Sequence, residues 1–206
     1  MTQADGFTDI PAGKVAAIVT HLEMTARPAL DPELEPARAL GNLTLCHVSA
    51  PDLAAYRDLF YRVGGLGWLW CSRLKMGDTE LSGILHDPAV QVHELRQEAR
   101  TVGLLELDFR EEGACELAFL GLEAGMTGRG LGTALIARGI DMAWSQPITR
   151  MHVHTCTFDH PGALALYRRS GFRPIRQQVE VFDDPRLTGL LPHEAAPHIP
   201  IIAPEA

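Results

Sequence analysis

The stretch that decides the fold is Cys115–Trp144, which reads CELAFLGLEAGMTGRGLGTALIARGIDMAW. Its opening residues are mostly apolar, as in a buried strand, and they lead into a turn with three alternate glycines, Gly128, Gly130 and Gly132. Beyond the turn, apolar residues recur at helical spacing, which predicts a helix over 129–144. A strand that passes through a glycine turn into a helix brings free N–H groups to one point.

The glycine turn has the chemistry of an anion-binding site. Glycine lets the backbone approach a ligand closely, and the amides and dipole of the following helix favour a phosphate or pyrophosphate. Arg129 adds a positive charge inside the turn. A turn that only packs is the plain alternative. Two nucleotide motifs fail: no Lys-Ser/Thr follows the glycines, as a P-loop needs, and Thr133 stands where a dinucleotide fingerprint from Gly128 needs glycine or alanine.

Strands and helices are interleaved on both sides of this turn. Strands are predicted over 14–23, 43–49, 90–95, 101–109, 114–122, 151–157 and 172–182, and helices over 52–63, 78–85, 129–144 and 161–170. Gly64, Gly65 and Gly67 are expected to end the first helix. The middle strands are joined by tight breaks, which excludes a purely parallel sheet. We therefore predict an α/β (α+β) fold with a mixed, mostly antiparallel central sheet and helices on both faces.

The composition is that of one soluble domain: 206 residues, 46% hydrophobic, 21% charged, with a net charge of −8. We predict a flexible tail over 1–12, a single domain over 13–182, and a Pro-rich extension over 183–206 that packs on the domain or on a partner subunit. The acidic balance disfavours nucleic acid as a partner. No signal peptide or membrane-spanning run is visible, so we expect a cytoplasmic protein with no membrane partner.

Cysteine and histidine residues give no sign of a metal site. The four cysteines are scattered without a CxxC pair, which predicts reduced thiols and no zinc. They are Cys46, Cys71, Cys115 and Cys156. His152 and His154 should lie on one side of their strand, but no third ligand can be placed, so no metal is predicted. A nucleophilic pair of His154 with Cys156 is disfavoured, because we expect these side chains to face opposite ways.

Two motifs resemble those of the GNAT (GCN5-related) N-acetyltransferase superfamily. The family's acetyl-CoA motif, Q/R-x-x-G-x-G/A, is similar to TGRGLG at 127–132, with Thr127 in place of Gln or Arg. Its second signature of Asn, Ala, Leu-Tyr and Gly-Phe is similar to HPGALALYRRSGF at 160–172, with His160 in place of Asn. The motifs follow in the family's order, and the resemblance covers about residues 90–182.

The resemblance implies a GNAT-like fold that uses acetyl-CoA as co-substrate. The strands over 116–122 and 151–157 should splay apart, so that Leu120 and Leu122 bond the pantetheine while the glycine turn holds the pyrophosphate. The residues implied in coenzyme binding are Leu120, Gly121, Leu122, Thr127, Gly128, Arg129, Gly130, Leu131, Gly132, Thr133, His160, Ala163 and Tyr167.

Two catalytic residues are implied by the same resemblance. Tyr167 matches the family's tyrosine near the coenzyme sulfur, where a phenol can protonate the leaving thiolate, the alternative being a packed core ring. Glu116 matches the carboxylate that deprotonates the amine in some members, usually through water. Alternation should place it on the face of Ala118 and Leu120, and the alternative is a solvated glutamate.

Further polar and aromatic residues are candidates for the acceptor side. Glu106 and Asp108 are rival bases, or anionic groups that attract an ammonium substrate. Four residues lie where the family builds its acceptor wall, with core packing as the alternative: Tyr61, Trp68, Trp70 and Arg73.

Together these features predict an N-acetyltransferase that moves an acetyl group directly from acetyl-CoA to a primary amine of a small molecule or peptide. A pocket lined by carboxylates would favour polyamines or aminoglycosides. A homodimer is a further expected assembly. The alternatives are a non-catalytic CoA-binding regulatory module on the same fold, and an interaction protein whose Pro-rich end is the functional part.

Overall fold

A computed structural model of the chain, which describes residues 5–28 and 40–205, contains one sheet with helices on both faces. The strands are β1 Lys14–Met24, β2 Leu43–Val48, β3 Val90–Gln97, β4 Arg100–Asp108, β5 Ala114–Leu122, β6 Arg150–Cys156 and β7 Arg173–Asp183. The helices are α1 Leu53–Phe60, α2 Ser72–Lys75, α3 Asp78–Leu85, α4 Leu131–Trp144 and α5 Ala163–Arg169. The predicted strands and longer helices are all present within a few residues, and α2 was not predicted.

The seven strands lie in the order β2-β3-β4-β5-β6-β1-β7. Every neighbouring pair is antiparallel except β5 and β6, which are parallel. The prediction of a mixed, mostly antiparallel sheet is therefore confirmed. Strand β1 lies between β6 and β7, so an early strand separates two late ones. No helix within the described ranges is long and apolar enough to span a bilayer.

The sequence predicted that helix α1 ends at Gly64 and Gly65, but the helix continues past them. It continues through a π-helical turn, Tyr61–Gly65, and a last turn that ends at Trp68. The reason is packing: a Cβ atom on Gly64 would lie 2.1 Å from the ring of Trp70. The glycine makes room for an aromatic side chain that folds back over the helix, and it does not break the helix.

Two hydrophobic layers sandwich the sheet. On one face, α4 presents Ile136 and Ile140 to Leu105 and Leu117 of the central strands. On the other face, α1 and α3 pack against β3 and β4 through Tyr56, Phe60, Leu81, Val92 and Leu104. Alternation along the strands is what supplies both faces with apolar side chains. The layers hold β5, the central strand of the site, from both sides.

The segment after β7 packs on the domain. Leu191 and Ile199 are buried in one cluster with Val15 of β1 and Leu69. The Arg186 guanidinium donates to the Asp184 carboxylate at 2.7–2.9 Å and to three carbonyl oxygens between 195 and 199. Residues 1–4 of the predicted tail, residues 29–39 and residue 206 lie outside the described residues. The division into tail, domain and extension stays a prediction.

Candidate active site

The site is an opening between β5 and β6. The two parallel strands pair only at their beginnings, where the last partners are Glu116 and His152. Beyond Glu116 the strands diverge, as the sequence resemblance implied. The opening is part of a cavity of about 620 Å³ that continues to the glycine turn at one end and to the aromatic side chains before α2 at the other.

The glycine turn presents uncommitted backbone amides to this cavity. Gly128 and Gly130 both have φ of 75°, in the left-handed region that favours glycine. No side chain caps the N-terminus of α4 at Gly130. Within the described residues, the amides of 128–133 donate to no other protein group. The arrangement is what an anion-binding helix start requires, because the N–H groups converge and the helix dipole adds positive potential.

Most of the residues expected to bind the coenzyme border the cavity. They are Leu120, Gly121, Leu122, Thr127, Gly128, Gly130, Gly132, Thr133, His160, Ala163 and Tyr167. Arg129 and Leu131 do not border it: Arg129 is exposed, and the Leu131 side chain is buried beneath the helix. The Thr127 hydroxyl donates to the Ala124 carbonyl at 3.0 Å, so this side chain closes the turn.

Gly121 has a packing requirement of its own. A Cβ atom there would lie 2.7 Å from Val63 and 3.2 Å from the Trp70 ring. The π-helical turn therefore sits directly on the backbone of β5. This contact fixes the strand that forms one edge of the opening.

Tyr167 of α5 is a buried phenol on the cavity wall. Burial, and then the charge of Asp159, raises the pKa of Tyr167 well above its ordinary value. Its hydroxyl makes no hydrogen bond within the described part of the chain. Asp159 accepts hydrogen bonds from the Trp70 indole at 2.8 Å and from Thr155 at 2.7 Å, and it was not singled out from the sequence. A protonated hydroxyl without a protein partner is free to donate to a ligand.

Glu116 does not reach the cavity, but His154 does. Nδ1 of His154 lies 3.3 Å from Oε1 of Glu116. This contact raises the pKa of His154 and lowers the pKa of Glu116. The expectation that Glu116 shares a face with Leu120 was wrong, because a bulge at Ala118 shifts the pairing register of β5 against β4. Leu120 faces α4, whereas Glu116 faces the other side.

The rival acids are not in the cavity. Glu106 is fully buried, and it accepts hydrogen bonds from the Tyr56 hydroxyl and, at 2.5 Å, from Arg73. Asp108 is bound by Arg110, whose hydrogen bonds outweigh the effect of burial and lower the pKa of Asp108. Neither carboxylate borders the cavity, so neither is a base there. Of the four residues expected on the acceptor side, Trp68 and Trp70 border the cavity, whereas Tyr61 and Arg73 do not.

His154 and Cys156 share a face, contrary to the expectation that they point apart. They are two positions apart in β6, and both border the cavity. Burial nevertheless raises the pKa of Cys156 to about 11. A thiol in that state is a poor nucleophile at neutral pH, because the thiolate is the reactive form. His152 points to the same side as His154, as predicted, and its Nε2 lies 3.4 Å from Glu111.

The far end of the cavity is apolar and aromatic. The side chains that form it come from the segment before α2, from β1, from the turn after β6 and from β7: Val19, Trp68, Leu69, Trp70, Phe158 and Phe182. Charged groups that border the cavity include Glu180 of β7 and Lys75 of α2. A cavity lined mainly by carboxylates, which the net charge had suggested for a polycationic acceptor, is not present in the described residues.

The mixed sheet and the cavity define an α/β protein with a cavity at an opening between two parallel strands. A family model described as the acetyltransferase (GNAT) family matches residues 53–172. The chain therefore belongs to the GNAT acetyltransferase family, as its motifs indicated. Strands β1, β2 and β7 lie outside the matched range.

Relatives are similar over part of their length. Over 94 residues the chain is 33% identical to mycothiol acetyltransferase of Clavibacter michiganensis. This matching stretch covers 46% of this chain and 30% of that protein. A GNAT-family protein of known structure from Novosphingobium aromaticivorans has a TM-score of 0.54 at 16% identity, covering 84% of this chain and 68% of that one. A GCN5-related N-acetyltransferase from Sphaerobacter thermophilus has a TM-score of 0.53 at 14% identity, covering 86% and 53%. These structures show the fold, and each is longer than the part that matches.

Proposed function

We propose that the protein is an acetyl-CoA-dependent N-acetyltransferase that transfers the acetyl group directly to a primary amine of a small molecule or peptide. The observation that carries the proposal is the uncapped glycine turn, whose amides face a cavity that opens where β5 and β6 separate. The four cysteines are free thiols, which fits a reducing, cytoplasmic location.

The described residues fit acetyl-CoA. The amides of 128–133 would hold the pyrophosphate, since they are free and sit at a helix start. The edge of β5 beyond Glu116 has no strand partner on the β6 side, so its backbone groups are available to the pantetheine amides. Transfer then needs a neutral amine, a donor for the carbonyl oxygen and a proton for the departing thiolate.

The described side chains can transfer the two protons of the reaction, one from the amine and one to the departing thiolate. Tyr167 keeps its proton because its pKa is raised, so it is suited to donate to the departing thiolate. His154 borders the cavity and is suited to accept the proton of the amine, while Glu116 positions its ring and stabilises its cationic form. This assignment replaces Glu116 as the group that meets the substrate, and Glu116 becomes a positioning residue.

The first prediction concerns Tyr167. Tyr167→Phe should lower kcat about 100-fold, the usual contribution of a general acid, with the Kd for acetyl-CoA little changed. Turnover is measured by thiol release and affinity by calorimetry. Tyr61→Phe is the matched control, because Tyr61 does not border the cavity. An unaltered rate in Tyr167→Phe would remove this hydroxyl from the mechanism.

The second prediction concerns the pH profile. Since His154 acts when neutral, kcat/KM should rise with pH through the pKa of His154. Glu116→Gln removes the group that raises this pKa, so the acid limb should move to lower pH. His154→Gln should lose that limb and lower kcat/KM about 100-fold.

The same acceptor amine must be used throughout, so that its own ionisation contributes equally to every profile. The groups that face His154 from neighbouring elements are Glu116, His21, Asp159 and Glu180. His152→Gln is the control: it lies on the same strand, does not border the cavity, and should leave the limb in place. An acid limb that does not move in Glu116→Gln would refute the proposal that Glu116 and His154 act as a pair.

The alternative is a CoA-binding module without catalysis. It is favoured by the commitment of the Thr127 hydroxyl to the turn, and by His160, whose Nδ1 accepts a hydrogen bond from the Gly162 amide at 3.0 Å. A thiol-release assay with a panel of amines decides between the two functions. Release that depends on an amine supports the enzyme, whereas coenzyme binding without release on any amine supports the module. No binding of CoA or acetyl-CoA would refute both.

A further inference from the structure

Strand β7 forms an unpaired edge of the sheet. Within the described residues it pairs only with β1, and it is eleven residues long. Large apolar side chains on it are exposed: Ile175 by 53%, Val179 by 58% and Val181 by 44%. The adjacent Ile18 of β1 is 48% exposed. A long apolar edge of this kind is a template for pairing with another strand.

The free hydrogen-bonding groups of this edge can be assigned. The Asp184 amide donates to the Gly13 carbonyl at 2.9 Å, so Asp184 is bonded to β1. In an antiparallel pair, bonded positions alternate along the strand. The even-numbered residues from 176 to 182 therefore bond to β1, and Gln177, Val179 and Val181 direct their N–H and C=O groups outward.

The charges along β7 are complementary to those of a second β7 strand that runs antiparallel to it. In an antiparallel pair centred on Gln178, Arg176 of one copy lies opposite Glu180 of the other. The outward-directed residues then face each other, Gln177 opposite Val179, as the bonding pattern requires. A shift of two residues puts Arg176 opposite Gln178 or Phe182, so the other registers lose the match.

The irregular part of the strand limits the length of this pairing. A bulge lies between Arg176 and Pro174, where the pairing with β1 shifts. Past the bulge the alternation of bonded positions reverses, and Pro174 has no N–H to donate. The regular pairing between the two copies is therefore confined to residues 176–180, which hold the pair of Arg176 with Glu180.

We propose that β7 pairs antiparallel with β7 of a second copy of the chain, about a two-fold axis at Gln178, joining two seven-stranded sheets into one. The contact is isologous, so each charge pair occurs twice. Glu180 and Phe182 also line the cavity, which places the two cavities beside the interface.

The test is the mass of the purified chain by light scattering and sedimentation. The wild type should have twice its mass of 22.5 kDa at high micromolar concentration. Arg176→Glu puts two glutamates opposite each other, and Glu180→Arg puts two arginines opposite each other. Each change should raise the dimer dissociation constant at least about tenfold. The double variant Arg176→Glu/Glu180→Arg exchanges the charges and should restore the dimer.

The controls keep the result specific. Arg138→Glu, an exposed change on α4, should leave the dimer intact. Thermal unfolding establishes that each variant is folded. A monomeric wild type, a dimer that neither single variant weakens, or a double variant that stays monomeric while folded would each overturn the proposal.

Discussion

Gly130→Val should weaken the binding of acetyl-CoA about 100-fold, which is ~2.7 kcal/mol of binding free energy. Gly130 has φ of 75°, a conformation that costs an L-residue about 1–2 kcal/mol, and most for a β-branched one. A Cβ at this position would meet no protein atom within 4 Å, so the unliganded protein has room for it. The loss therefore falls on the amides that converge here and on the space that a pyrophosphate would occupy.

Calorimetry with CoA and with acetyl-CoA measures this effect. Gly125→Val is the matched control: it lies in the short helical turn just before, has open space around its Cβ, and has no left-handed φ. It should bind both ligands like the wild type. Equal affinities of the two variants would show that the amide turn does not hold the coenzyme, and thermal unfolding would exclude a folding defect.

Arg73→Met should lower the free energy of unfolding by about 3–5 kcal/mol, because it leaves the buried carboxylate of Glu106 without its cation. Nη2 of Arg73 lies 2.5 Å from Oε1 of Glu106, and both side chains are buried. The Tyr56 hydroxyl remains as a donor. Burial, and then the charge of Glu106, raises the pKa of Tyr56 well above its ordinary value, so the hydroxyl keeps its proton.

Denaturant unfolding measures the loss of stability, and two further variants serve as comparisons. The double variant Arg73→Met/Glu106→Leu removes both charges and should recover most of the loss. Asp78→Asn breaks an exposed pair with Arg57 whose atoms lie 2.7 Å apart, and it should cost less than about 1 kcal/mol. A loss in Arg73→Met as small as that in Asp78→Asn would show that the buried pair contributes little. A double variant no more stable than Arg73→Met would show that the loss comes from packing.

The sequence predicts the local structure and the family well, because both depend on residues close together in the chain. Apolar periodicity located the strands from Val90 onward and helix α4. The glycine turn could be predicted as an anion site because its amides are consecutive in the chain. Contacts between distant elements could not be predicted. No local pattern shows that the Trp70 ring leaves no room for a side chain at Gly64, or that Arg73 and Tyr56 both donate to Glu106.

The error at Glu116 has a physical source. Strict alternation places Glu116 with Leu120, but a single extra residue at Ala118 reverses the faces, and a bulge leaves no mark in the hydrophobic pattern. The place of β1 between β6 and β7 is set by pairing across most of the chain, which no local pattern records.

The position of β1 has a consequence for how the protein is made. Its two partners, β6 and β7, leave the ribosome long after β1 does, since synthesis proceeds at about 5–20 residues per second. Until then both edges of β1 are open to wrong partners, and contacts between such distant segments form slowly. Nascent chains should therefore depend on chaperones until the final strand has emerged.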